Sequence, residues 1–495
     1  MRRLLLAFIA GTSMSACTLM PHYQRPASPV SNNWPADASP PVTATGLAAD
    51  QIGWRDFFTD PRLRRLIEIA LQNNRTLRIA VLNVSASQAE FRVQRSSLFP
   101  TISASGSEFL EQFPRNGGLP LGGLSGGGSG GGAGSALVPT GSSGGTFRYF
   151  NAGIGFTNYE LDLFGRQRSL STQAFEQFLA QNETRRSSQI SLVGEVASDY
   201  FAVLADEALL KLTQDTLQSQ TESYNLTKAM FDRDTTTLLA LRQAESQVAA
   251  AQASLAHYQR QLAQDTHALT LVLGEEIPQD VPPPNDIEQE GLLSDFPPGL
   301  PSDLLTHRPD IMGAEHTLRA ANANIGAARA AFLPSIQLTA SGGTASNRLS
   351  SLFGKGTGTW SFAPSINLPI FTGGQNRANL DLAHIEKNVA IAQYELAIQT
   401  AFREVSDALN GISTYRQERG AQQTLVTADA DAYRLAQMRF RSGVDSYLST
   451  LDAQRSLYAA QQGLVSLRQA ELTNEVTLYK ALGGGWQQRT ASTHE

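Results

Sequence analysis

Residues 328–342 read Ala-Arg-Ala-Ala-Phe-Leu-Pro-Ser-Ile-Gln-Leu-Thr-Ala-Ser-Gly, and residues 94–106 read Gln-Arg-Ser-Ser-Leu-Phe-Pro-Thr-Ile-Ser-Ala-Ser-Gly. The two stretches align at an offset of 234 residues. Later matches recur at offsets of 207 and 209 residues: Leu161 with Leu368, Phe164 with Phe371, Phe231 with Phe440, and Gly274 with Gly483. These offsets are far longer than a solenoid unit of about 20–50 residues. The sequence therefore predicts an internal tandem duplication of a domain-sized half.

The first repeat, residues 61–277, is predicted to contain a helix, a strand pair and a long helical hairpin. The helix starts at Pro61 and ends near Leu98. The hairpin, about 166–273, has a proline-free helix over 166–231 and a return helix over 238–273. A heptad seam marks the longer helix: Ile190, Val193, Ala197, Tyr200 and Leu204. Gly274 suits the end of the return helix.

The second repeat, residues 302–486, follows the same plan. It has a helix over 309–332 and a hairpin over about 374–482, made of helices 374–440 and 447–482. Its long helix carries two apolar stripes: Ile398, Phe402, Val405, Leu409 and Ile412 on one face, and Ile385, Val389, Ala392 and Leu396 on another. Two seams on one helix predict neighbours on two sides.

The strand pairs are expected at about 100–165 and 334–371, with extended segments over 101–113, 147–163, 335–346 and 359–371. In the last of these, Trp360, Phe362 and Ile366 alternate with small or polar residues. Alternating segments of about ten residues are typical of transmembrane β-strands. A half-buried sheet in a soluble sandwich shows the same alternation.

One loop lies inside the first repeat, and three further segments flank or separate the repeats. The stretch 117–145 holds 14 glycines among 29 residues, and it accounts for most of the change in offset, so we interpret it as a loop inserted in the first half only. Residues 17–60 are predicted to be an irregular lipid-anchored tether, 278–301 a Pro-rich linker and 487–495 a C-terminal tail.

The N-terminus reads as an export signal. Arg2 and Arg3 precede the apolar run 4–10, which is too short to span a bilayer, and residues 1–16 are predicted to be a signal peptide. Cys17 follows Ser15-Ala16 and is the only cysteine, so it cannot form an internal disulfide. The arrangement resembles a bacterial lipobox, which implies cleavage before Cys17 and its acylation. An ordinary signal peptide with an incidental cysteine is the alternative.

The composition argues against several functions. The net charge is −6 and no basic run is present, whereas nucleic-acid binders carry a basic face. The seven histidines form no metal-binding spacing, so we expect no metal site and no cofactor apart from a covalent lipid. No catalytic motif lies in a suitable context, so we expect no enzyme activity.

The strand count bears on assembly. A sheet in lipid must close, because open edges leave backbone groups unpaired. Four strands per chain are too few for a common barrel, so the sheet is expected to close between copies of the chain.

The whole pattern resembles the TolC-like outer-membrane factor family, in particular its OprM/NodT-type lipoproteins. The segments that carry the resemblance are Tyr23-Gln24-Arg25-Pro26, Arg308-Pro309-Asp310-Ile311, Pro369-Ile370-Phe371, Gly443-Val444-Asp445-Ser446-Tyr447-Leu448 and Leu478-Tyr479-Lys480-Ala481-Leu482-Gly483-Gly484-Gly485-Trp486. The resemblance implies a mixed α and transmembrane β fold. Four β-strands per chain would contribute to a trimeric 12-stranded outer-membrane barrel, which continues into a long periplasmic α-helical barrel.

The same resemblance implies a role and partners. Such a protein is the outer-membrane exit duct of a tripartite efflux system for small toxic compounds. It is a homotrimer anchored in outer-membrane lipid, and it works with a periplasmic adaptor and an inner-membrane pump. A type I protein-secretion duct is the runner-up. A non-conducting, periplasm-spanning structural lipoprotein is the alternative from another class, although the alternating strands argue against a simple rod.

A periplasmic gate is implied at the hairpin turn of the second repeat. Its residues are Leu448, Asp452 and Arg455, spaced to share one helix face, with Asp445 in the turn. Three copies would form a leucine ring beside an acidic ring. A solvated Asp–Arg pair at a helix start explains the same spacing. In the first repeat Ala240 stands where an acid is common in the family, and Arg242 is the candidate gate partner there.

Overall fold

The computed structural model describes residues 18–35, 49–112, 146–279, 281–293 and 303–490. The signal peptide 1–16, Cys17 and the glycine-rich loop 117–145 lie outside the described residues.

The fold mixes long helices with one antiparallel sheet, as predicted. In chain order the elements are α1 (Trp54–Phe57), α2 (Pro61–Asn73), α3 (Arg75–Ser96), β1 (Ser103–Gln112), β2 (Thr146–Leu161), α4 (Arg166–Phe231), α5 (Leu238–Leu273), α6 (Leu304–His307), α7 (Pro309–Ala330), β3 (Ser335–Ser346), β4 (Gly358–Asn367), α8 (Gln375–Arg441) and α9 (Tyr447–Ala481). Short 3₁₀ turns occupy Ala49–Gln51 and Leu349–Ser351. Helix, strand pair and hairpin thus occur twice. None of the helices in the described ranges is long and apolar enough to cross a membrane.

The predicted single helix from Pro61 to Leu98 is two helices. The break is at Asn74, whose backbone is extended at φ −59° and ψ 127°. Its side-chain oxygen accepts from the Leu77 N–H at 2.8 Å, and its amide donates to the Val272 carbonyl at 2.8 Å. Asn74 therefore caps α3 and binds the end of α5 with one side chain, an interaction that apolar periodicity does not reveal.

The four strands form one sheet in the order β1-β2-β3-β4, each paired antiparallel with the next. A bulge interrupts the β2–β3 register between Phe156 and Tyr159. The segment predicted over 359–371 is shorter as a strand. It ends at Asn367, which pairs with Ser335, the first residue of β3 after Pro334. Within the described residues, the outer edges of β1 and β4 pair with no other strand.

The chain divides into two compact units. One contains the described residues of 85–179 and 316–392, with the sheet, together with residues 18–26. The other contains residues 27–84, 180–315 and 393–495.

The second unit holds the main apolar core. The predicted seam of α4 is buried along its length, from Ile190 to Leu204. Complete burial of such side chains stabilises the fold by about 1.5–3 kcal/mol each. On α8 the stripe that includes Ile398, Val405 and Leu409 is also buried.

The described residues 49–60, before the first repeat, are packed rather than irregular. Over 49–60 the predicted tether is wrong, because Trp54, Phe57 and Phe58 are fully buried and the Phe57 ring stacks on Tyr479 at 3.9 Å. The backbone of α1 also bonds to the predicted tail: the Trp54 N–H donates to the Gln487 carbonyl at 3.0 Å. Three aromatic side chains within five residues supply enough apolar area to pack this otherwise irregular segment.

Candidate gate and anchor segment

The two hairpins meet near their turns through a small apolar cluster. Ala244, Tyr447 and Leu451 are buried in it, and Tyr224, Ala240 and Phe440 pack around them. We call these six residues the hairpin-end cluster. The Phe440 and Tyr447 rings lie 5.4 Å apart. Ala240 on α5 thus packs in an apolar contact with α9.

The predicted gate residues Leu448, Asp452 and Arg455 lie on the first turns of α9, on its exposed side. Leu448 is 49% exposed, whereas Leu451, one turn away, is 3% exposed. The helix therefore turns its buried face to the hairpin-end cluster and its gate face away from the chain's own core. Asp452 makes no hydrogen bond or ion pair with any described residue.

The two arginines of the predicted gate bind partners other than Asp452. Arg455 Nε donates to Gln247 Oε1 on α5 at 3.0 Å. Arg242 forms an ion pair with Glu245 at 2.5 Å, and both side chains are exposed. Within one chain, Arg455 therefore links α9 to α5, while Arg242 is held on its own helix. Neither Gln247 nor Glu245 was predicted, although Glu245 stands at the i+3 spacing that favours such a pair.

Asp445 is bound within its own turn. Arg439 Nε and Nη2 donate to its two oxygens at 2.6 and 2.9 Å. The hydrogen bonds from Arg439 lower the pKa of the Asp445 carboxyl below its ordinary value. Gly443 has φ 71°, a left-handed conformation that few other residues adopt, and the turn closes with the Val444 N–H on the Arg439 carbonyl at 2.9 Å. Asp445 therefore stabilises the turn, and Arg439 is the partner that the sequence did not reveal.

Polar contacts join the hairpins beyond the cluster. Ser219 Oγ and Tyr433 Oη lie 3.1 Å apart, and Gln454 Nε2 donates to Ser219 Oγ at 3.3 Å. Tyr458 Oη lies 2.8 Å from Thr213 Oγ1. A hydrogen bond between neutral hydroxyl or amide groups adds about 0.5–1.5 kcal/mol of net stability. These contacts link α4 of the first hairpin to α8 and α9 of the second.

The N-terminal segment 18–26 lies along α7. Asn322 Nδ2 donates to the Pro21 carbonyl at 2.8 Å, and Arg329 Nη1 donates to the Leu19 carbonyl at 3.4 Å. The Arg319 guanidinium lies 5.0 Å from the centre of the Tyr23 ring. Gly326 permits the close approach, since a Cβ there would lie 2.9 Å from Met20 Cα. The first described residues after Cys17 are thus held in place near the C-terminal end of α7.

No cluster of three or more His, Cys, Asp or Glu side chains suited to a metal ion occurs in the part of the chain that the structure describes.

Comparison with known proteins gives a consistent answer. The family model described as "Outer membrane efflux protein" matches residues 66–275 and 300–484. The chain is 47% identical over 490 residues to the antibiotic efflux pump outer membrane protein ArpC and to the toluene efflux pump outer membrane protein TtgC, both of Pseudomonas putida, covering 99% of this chain and 96% of each relative. The open state of the Neisseria gonorrhoeae MtrE outer membrane channel superposes with a TM-score of 0.84, at 36% identity over 96% of this chain and 100% of that one. The chain therefore belongs to the outer membrane efflux protein family, whose members are outer-membrane components of efflux pumps.

Proposed function

We propose that the chain is a passive exit duct that receives small toxic compounds from a periplasmic adaptor and an inner-membrane pump and releases them outside the cell. The observation that carries this proposal is the exposed face of α9 with Leu448 and Asp452, next to the hairpin turn. The same chain has a four-stranded sheet whose two edges pair with no other described strand. Such a chain is suited to closing a pore around an axis. Energy comes from the pump, and the duct supplies a path and a gate.

The same proposal includes a homotrimer. The unpaired edges of β1 and β4 can pair with neighbouring copies, and three copies of four strands close a 12-stranded barrel. The second stripe of α8 is exposed in the single chain at Ile385, Val389 and Leu396. A stripe of this kind is expected to be covered, and a neighbouring copy supplies the cover.

The gate follows from that symmetry. Three copies of Leu448 and Asp452 would face one another around the axis as an apolar ring and an acidic ring. An apolar constriction opposes the passage of water and ions, and an aspartate ring favours cations over anions. Arg455 donates to Gln247 and forms no ion pair with Asp452 within its own chain, among the described residues.

The anchor is a covalent lipid on Cys17, two residues before Leu19 in the chain. The hydrogen bond from Arg329 to Leu19 holds the start of the mature chain on α7. Substitution of Cys17 by Ser is expected to abolish labelling by radioactive palmitate. Equal labelling of the wild type and Cys17→Ser would contradict lipidation at this residue.

The cargo is proposed to be small, apolar solvents and antibiotics, since the relatives are named for toluene and antibiotic efflux. The test is a strain that lacks the gene for this chain. Its tolerance of toluene and of several antibiotics should fall and should return with the wild-type gene. If tolerance of all these compounds is unchanged while export of a secreted protein fails, the chain is a secretion duct instead.

A further inference from the structure

The segment 281–293, which connects the two repeats, is fastened to the start of α2 and to the residues before it. Thr59 Oγ1 donates to the Gly291 carbonyl at 2.5 Å, and Arg62 Nη1 donates to the Pro282 carbonyl at 2.7 Å. This inter-repeat segment lies in the range predicted to be a Pro-rich linker. The prediction misses its packing, because most of its polar contacts are made by backbone groups, which any sequence provides, and its one fully buried apolar side chain, Ile287, shows no periodicity.

The second repeat holds the same segment through Arg468 on α9. The Arg468 guanidinium donates to the carbonyls of Ile287 and Glu290, and it forms an ion pair with Glu471 at 2.7 Å. Arg419 on α8 also contacts Glu471, at 3.0 Å. The inter-repeat segment therefore has charged partners from both repeats.

Two buried carboxyl groups lie at the centre of these contacts. Asp60 and Glu290 are each only 3% exposed. Asp60 Oδ2 accepts from the Tyr200 hydroxyl at 2.6 Å, and its Oδ1 accepts from the Arg62 N–H at 2.8 Å. Glu290 Oε1 is buried and has no hydrogen-bond partner among the described residues. Both oxygens of Asp60 thus already accept a hydrogen bond, whereas Oε1 of Glu290 accepts none from the described residues.

Burial and the neighbouring charge of Asp60 raise the pKa of the Glu290 carboxyl to about 7. The protonated acid can then donate to Asp60, which removes the repulsion that two buried carboxylates would suffer. Arg62 on α2 and Tyr200 on α4 contact Asp60, while Arg468 on α9 and Asn285 in the segment act on Glu290. Glu288, also in the segment, is surrounded by Arg468, Arg419 on α8, Asp286 and Glu471 on α9. Arg468 and Asn285 favour ionised Glu290, but burial outweighs them.

We propose that Asp60 and Glu290 share one proton and that this pair fastens the inter-repeat segment to the start of α2, so that the segment loosens when the proton leaves. Because the folded pair holds a proton that the opened segment releases, the attachment is complete at acidic pH. It weakens as the pH rises from the ordinary glutamate range, near 4.5, toward 7, and it changes little above 8. The shared proton makes the attachment of the inter-repeat segment to α2 sensitive to the pH of the surrounding medium.

The test is hydrogen exchange of the backbone amides of residues 281–293 in the purified full-length protein, corrected for the intrinsic pH dependence of exchange. Between pH 5 and pH 8 the protection of these amides should fall by roughly one to two orders of magnitude. In Glu290→Gln, whose amide can donate to Asp60 but does not titrate, the fall should vanish, and protection at pH 8 should exceed that of the wild type.

Two further variants sharpen the result. Asp60→Asn keeps an acceptor for the Arg62 N–H and removes the charge. It should therefore reduce the loss of amide protection between pH 5 and pH 8. Asp206→Asn is the matched control: Asp206 is another buried acid, on α4, whose pKa is raised to about 7 by burial and by Asp265. It should leave the response of residues 281–293 intact. A wild type with flat protection, or a Glu290→Gln variant that keeps the wild-type response, overturns the proposal.

Discussion

The hairpin-end cluster predicts a specific consequence for the substitution Leu451→Ala. Leu451 is 3% exposed between α5 and α9, so the change removes buried methyl groups and leaves a cavity beside Tyr447 and Ala244. Buried Leu→Ala changes destabilise by about 2–5 kcal/mol. Since 1.4 kcal/mol corresponds to a factor of ten, opening of the first turns of α9 should become at least about 30-fold more frequent.

Hydrogen exchange of amides 447–460 measures this opening directly. Leu448→Ala is the matched control, because it deletes the same atoms from a side chain that is 49% exposed. It should change exchange by less than about tenfold, since a partly exposed side chain has less burial to lose. If Leu451→Ala exchanges like the wild type, or if Leu448→Ala is the more destabilising change, the assignment of the buried and exposed faces of α9 is wrong.

Two other substitutions test single side chains. Tyr447→Phe should raise the thermal stability of the hairpin end by about 1 kcal/mol, because the Tyr447 hydroxyl is buried without a partner among the described residues. A clear loss of stability would mean that this hydroxyl does form a hydrogen bond, and would contradict the reasoning. Asn74→Ala should destabilise the α2–α3 junction by about 1–3 kcal/mol in chemical unfolding, because it loses both 2.8 Å hydrogen bonds. The control Asn73→Ala removes a side-chain amide that makes neither bond and should be close to neutral. Equal effects of the two substitutions would contradict the capping role of Asn74.

Long, uninterrupted patterns were predictable from the sequence. The proline-free run 166–231 and the stop at Gly274 give α4 and α5 the bounds that the structure has, because backbone propensity and seam spacing act locally there. Gly274 has φ 78° and ends α5 as a left-handed cap. The alternating segments likewise gave all four strands of the sheet.

What the sequence did not reveal depends on tertiary partners. The helix break at Asn74 is stabilised by the Val272 carbonyl, almost 200 residues away in the chain. The packing of 281–293 depends on carbonyl contacts to Arg62 and Arg468. The gate residues were predictable only in part. Helical spacing placed Leu448, Asp452 and Arg455 on one face of α9, but the hydrogen bond of Arg455 to Gln247 on α5 could be seen only in the structure. Polar contacts between residues that are far apart in the chain produce no periodic pattern in the sequence.

We propose that Asp452, at the turn of the second hairpin, belongs to a closed periplasmic gate. The most direct measurement is the single-channel conductance of purified trimers in a planar bilayer. Wild-type trimers should conduct poorly, and Asp452→Ala should conduct more. The control Asp431→Ala, an exposed aspartate paired with Arg434 on α8, should behave like the wild type. Conductance that is the same in Asp452→Ala and the wild type would contradict the account.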